Sequence, residues 1–121
     1  MGKTYEENKI VVGRGEDTNF SYRSWSIIGP ENDGRWRIGL VTSNDNEIDL
    51  YSTSQATLNT WHHIIMVYDG SNVILYINGQ KEGEQEASGT INNPNEELYF
   101  GAITPNKNQY QFNGSIDNIA L

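Results

Sequence analysis

The chain has 121 residues, which suits one domain rather than two. Its formal charge is -8, from 8 basic against 16 acidic residues, a field that repels a nucleic-acid duplex or an anionic membrane surface. It contains no cysteine, which removes disulfides, thiolate metal sites and cysteine catalysis together.

Residues 1–8 are polar and read as a disordered or tag-like N-terminus, so the expected domain spans 9–121. MGKTYEENK lacks the apolar centre of a signal peptide, and no run approaches the ~20 apolar residues of a membrane helix. Lys9–Gly13 reads as a short strand, followed by a polar loop over 14–22. Ser24–Ile28 is a strand closed by the turn cluster Gly29-Pro30-Glu31-Asn32-Asp33-Gly34. Arg35–Val41 alternates, with Trp36, Ile38 and Leu40 on one face and Arg35 and Arg37 on the other. Asn44-Asp45-Asn46 turns the chain into Glu47–Tyr51, where Ile48 and Leu50 oppose Glu47, Asp49 and Tyr51.

A Ser/Thr-rich stretch over 52–60 leads into the most apolar part of the chain. Trp61–Tyr68 and Val73–Ile77 are joined by Asp69-Gly70-Ser71-Asn72, the pattern of a β-hairpin expected at the centre of the core. Asn78-Gly79 supplies a second reversal, because both residues tolerate positive φ. Gln80–Pro94 reads as a long polar excursion, Glu97–Ile103 as a strand, 104–111 as a polar loop and Phe112–Leu121 as the last strand. No stretch has a helical period and none repeats. Some eight short strands at this spacing predict an all-β, two-sheet antiparallel sandwich.

Three segments carry a family resemblance: WHHIIMVYDGSNVILYINGQ at 61–80, LYFGA at 98–102 and FNGSIDNIAL at 112–121. Together they resemble the laminin-G-like domains of the concanavalin A-like lectin/glucanase superfamily. The resemblance implies a jelly-roll-type sandwich and a secreted or cell-surface setting. It also implies further strands ahead of residue 9, where this chain has only eight residues. A sandwich without those outer strands exposes a sheet edge. The expectation is therefore a trimmed sandwich, or a homo-oligomer in which a neighbour covers the edge.

The face bearing Arg35, Arg37, Glu47, Asp49 and Tyr51 has the groups a glycan needs. Aromatic rings stack on sugar C–H faces, and charged groups pair with hydroxyls. Asn108 and Tyr110, in the loop before the last strand, are expected to rim it. The plainer reading is a solvated face on which Glu47 and Asp49 pair with Arg35 and Arg37 across the strands. Trp36 and Trp25 share faces with apolar neighbours and read as core; Trp61 resembles the family's structural tryptophan.

Glucanases of the superfamily place Glu-x-Asp-x-x-Glu or Glu-x-Asp-x-Glu on one strand, and period-2 spacing can bring two carboxyls to the ~5 Å a retaining mechanism needs. Glu47-Ile48-Asp49 fits the first half, but Tyr51 or Ser52 stands where the acid belongs. No catalytic residue is assigned, and a degenerate glucanase is the remoter alternative. The resemblance also implies a structural calcium with Asp117 as ligand. Calcium takes six to eight oxygens, some of which the absent N-terminal strands would supply. His62 and His63 point to opposite faces of a strand and cannot chelate one ion; His62 reads as a buried, hydrogen-bonded histidine. Asn19-Phe20-Ser21 and Asn113-Gly114-Ser115 fit the glycosylation triplet and read as turns.

The sequence thus predicts a non-catalytic binding module for carbohydrate, acting through a concave sheet face and its rim loops. A structural or adhesion domain that binds a protein surface or a second copy is the main alternative. Neither nucleic acid nor membrane insertion is expected.

Overall fold

The computed structural model describes residues 10–14, 24–43, 47–92, 98–101, 114–117 and 119–120. Among these there are eight strands and no helix: β1 (Ile10–Arg14), β2 (Trp25–Ile28), β3 (Arg35–Val41), β4 (Glu47–Gln55), β5 (Ile64–Tyr68), β6 (Asn72–Ile77), β7 (Gln80–Glu86) and β8 (Leu98–Phe100). They form two antiparallel sheets, ordered β4-β3-β2-β1-β8 and β5-β6-β7.

Alternation builds both sheets. Trp36, Ile38 and Leu40 of β3 and Ile48 of β4 point inward to meet Val73, Leu75 and Ile77 of β6 in one buried cluster. Each such side chain contributes about 1.5–3 kcal/mol by leaving water. Ile64, Met66 and Tyr68 of β5 pack against the same cluster. Ile10 and Ile28 make a second, smaller buried pair. It lies on the other face of the large sheet, since Ile28 is the cross-strand partner of Arg37.

The turns follow their chemistry. Asp69 Oδ1 accepts the backbone N–H groups of Ser71 and Asn72 at 2.8 and 2.7 Å, closing the β5–β6 hairpin. The β6–β7 turn places Asn78 at φ 50° and Gly79 at φ 82°. The sheets are joined beyond their core. Thr42 bridges Ile91, and backbone bonds run from Ser43 N to Thr90 O and from Asn92 N to Val41 O. At the β4–β7 junction, Gly83 has no side chain, and a Cβ there would come within 3.1 Å of Leu50 Cγ.

Several expectations are corrected. β4 continues to Gln55, through residues expected to be a lead-in. Three residues, 52–54, oppose Trp36 alone, so the strand bulges. Ser52 fills the gap: its Oγ accepts Trp36 N–H at 2.8 Å and donates to Ser54 O at 2.7 Å. Gln80–Glu86 is a strand, not an excursion, because the tight turn after Ile77 sets it in register with β6. Trp61 is 67% exposed and lies outside the strand, since pairing with β6 begins at Ile64. Gly114–Asp117 and Ile119–Ala120 carry no strand, against the one expected there. The N-terminal segment 1–8 and Asn19 and Asn113 lie outside the described residues.

Candidate functional site

β3 and β4 present the outward-facing residues that the sequence singled out. Register sets their neighbours: Arg37 lies opposite Tyr51, Gly39 opposite Asp49, Val41 opposite Glu47 and Arg35 opposite Gln55. The expected pairing of Arg35 and Arg37 directly across from the two acids is therefore shifted. Arg37 instead reaches Asp49 diagonally, Nη1 to Oδ1 at 3.4 Å. The bulge carries Arg35 away from both acids. Its Nε donates instead to Asp33 Oδ2 at 2.7 Å, and its backbone N–H to Asp33 Oδ1 at 3.0 Å. These bonds, the backbone one foremost, hold the Asp33 carboxyl below its ordinary range.

Tyr51 is the centre of the cluster and is 39% exposed. The Arg35 guanidinium lies 4.8 Å from its ring centroid and that of Arg37 5.9 Å, both within cation–π range. Arg37 is also gripped from the turn side, with Nε 3.1 Å from Glu31 Oε1. Its side chain retains only 14% exposure. Glu31, Asp33 and Gln55 are members of the site that sequence reasoning missed. The acids sit in the turn cluster, two and six residues before the arginines they hold. The Asp-x-Arg spacing of residues 33–35 was the available signal.

The structure thus brings Arg35, Arg37, Asp49 and Tyr51 together. Glu47 shares their strand face by alternation but sits at its far end, opposite Val41. Asn108 and Tyr110 lie outside the described residues. Asp117 is exposed, and among the described residues no group of three or more His, Cys, Asp or Glu could hold a metal.

The glucanase-like positions are equally plain. Glu47, Asp49 and Tyr51 alternate onto one face, while Ser52 turns inward and is fully buried, bonded to Trp36 N–H. His62 accepts the Thr57 backbone N–H through Nε2 at 3.1 Å and packs on the Trp36 ring at 5.5 Å between centroids. It is hydrogen-bonded, as expected, but half-buried rather than buried.

A second feature ties the edge of β4 to the other sheet. Glu82 of β7 accepts Thr53 N–H at 3.0 Å, Ser54 N–H at 2.9 Å and the Ser54 hydroxyl at 2.8 Å. Burial pushes its carboxyl up, but these bonds outweigh burial and hold it below the usual glutamate range.

No curated protein and no solved structure matches the chain. The Laminin_G_3 family model, described as concanavalin A-like lectin/glucanases superfamily, matches residues 2–121. With two antiparallel sheets enclosing one core and nearly the whole chain matched, the protein belongs to the laminin-G-like domains of the concanavalin A-like lectin/glucanase superfamily.

Proposed function

We propose that this protein is a non-catalytic binding module that takes carbohydrate on the β3–β4 face. Domains of this superfamily often bind carbohydrate or mediate adhesion. The observation that carries the reading is the cluster around Tyr51, where a part-exposed ring, two guanidiniums and Asp49 share one sheet face. Asp49 and Glu47 offer acceptors to sugar hydroxyls, and the Tyr51 ring and hydroxyl offer a stacking edge and a polar tip. Hydrolysis is not part of the proposal. A retaining mechanism needs an acid to protonate the leaving oxygen. The outward position after Asp49 is held by Tyr51, a phenol rather than a carboxylic acid.

A glycan array probed with the wild-type chain and Tyr51→Ala tests this. The expected result is a set of related hits weakened at least tenfold in the variant. An array without hits, or hits indifferent to Tyr51→Ala, would overturn it.

One observation favours adhesion as a second reading. On the outer face of the small sheet, Ile65 pairs with Tyr76 and Val67 with Ile74, a contiguous apolar patch with Ile65 38% exposed. This reading predicts self-association or protein capture through that patch, reversed by Ile65→Lys. Light scattering distinguishes it from a monomeric glycan binder.

A further inference from the structure

We infer that the β3–β4 face selects uncharged, hydroxyl-rich glycans and rejects sulfated ones. The inference rests on the carbohydrate reading above and adds the class of ligand. It comes from how the cations of the face are spent. Arg35 is bonded to Asp33 and stacked on Tyr51. Arg37 lies between Glu31 and Asp49. A sulfate group seeks a guanidinium that can turn its fork outward. Here Arg35 is held through Nε by Asp33, and Arg37 through Nε and Nη1 by Glu31 and Asp49.

Release is unfavourable for Arg37 above all. The Glu31 residue is only 9% exposed, so moving the guanidinium away would leave a carboxylate out of water without its ion-pair partner. The local field points the same way. Among the described residues of the cluster, two guanidiniums stand against the four carboxylates of Glu31, Asp33, Glu47 and Asp49, in a chain whose formal charge is -8. Lys81, on the other sheet, is likewise bonded to Glu84. A polyanion approaching the face meets net repulsion and paired cations. A neutral glycan meets carboxylate oxygens at Asp49 and Glu47 that accept hydroxyl protons, and such bonds to charged acceptors are the stronger kind.

The experiment uses matched probes. The intact chain is titrated calorimetrically with neutral gluco-, manno-, galacto- and xylo-oligosaccharides, and with the chemically sulfated form of each. The inference predicts that at least one neutral oligosaccharide binds and that its sulfated form binds at least tenfold more weakly near physiological salt. The gap should narrow as salt screens the face. Asp33→Asn, which takes the carboxylate from the exposed Arg35, should raise affinity for the sulfated probe several-fold. A sulfated probe that binds as tightly as its neutral parent would overturn the selectivity and leave the glycan site standing. Silence toward every probe would overturn the glycan site itself, and the selectivity with it.

Discussion

Glu82→Ala should loosen the junction between the two sheets. In the described residues β4 is the edge of the large sheet, and Glu82 is what closes that edge at Thr53 and Ser54. The variant leaves two backbone N–H groups and one hydroxyl without their protein acceptor. Hydrogen bonds to a charged acceptor contribute about 1.5–3 kcal/mol each where water is excluded. Here water replaces most of what is lost, because these bonds lie at the surface. The expected total is about 1–2 kcal/mol, or about 4–8 °C in Tm for a chain of this size.

The sign of the pH dependence follows from the lowered Glu82 pKa. A carboxylate whose folded pKa lies below its unfolded one stabilises the fold above the ordinary glutamate range. That stabilisation is lost as pH falls through the folded value. Thermal melts of wild type and Glu82→Ala should therefore differ at pH 7 and converge in acid. Glu82→Gln, which keeps one acceptor oxygen, should fall between. A gap below about 1 °C at pH 7, or one that widens toward low pH, would refute the reasoning.

Two further predictions concern the framework. Gly29 has φ 132°, and a Cβ there would lie 3.3 Å from Arg35 O and from the Trp36 ring, whereas Gly79 has φ 82° with open space around it. Both Gly→Ala changes should destabilise in urea melts. Gly79→Ala should cost about 1 kcal/mol, from backbone strain alone, and Gly29→Ala clearly more. Trp61→Ala should shift stability by no more than about 0.5 kcal/mol, because the ring is exposed, whereas Trp36→Ala should cost about 3–5 kcal/mol from the core.

What the sequence made legible was set by how local the physics is. Arg35–Val41 could be bounded to the residue because alternation and a flanking turn cluster agree. The β5–β6 hairpin was legible through Asp69, whose side chain makes the turn it suggests. β7 was not, because QKEGEQE has no apolar member, and its place comes from the register of β6 and the space that Gly83 leaves for Leu50. Trp61 misled for a related reason. An aromatic beside an apolar run reads as its first member, but the partner strand ends opposite Ile64.

At the site, residue types were legible and pairing was not. A bulge held by Ser52 shifts the register between Arg35 and Arg37. It sends one arginine to a turn acid and the other diagonally across a glycine. No pattern of alternation encodes that shift, because it depends on a side chain replacing a backbone partner in the ladder.

The central claim is that sugar is taken on the β3–β4 face. Amide chemical shifts recorded during titration with an array-positive oligosaccharide test it most directly. The account predicts saturable shifts concentrated at Arg35–Gly39 and Asp49–Gln55, absent in Tyr51→Ala. Saturable shifts confined to the β5–β6–β7 sheet, with the Tyr51 neighbourhood unmoved, would contradict it.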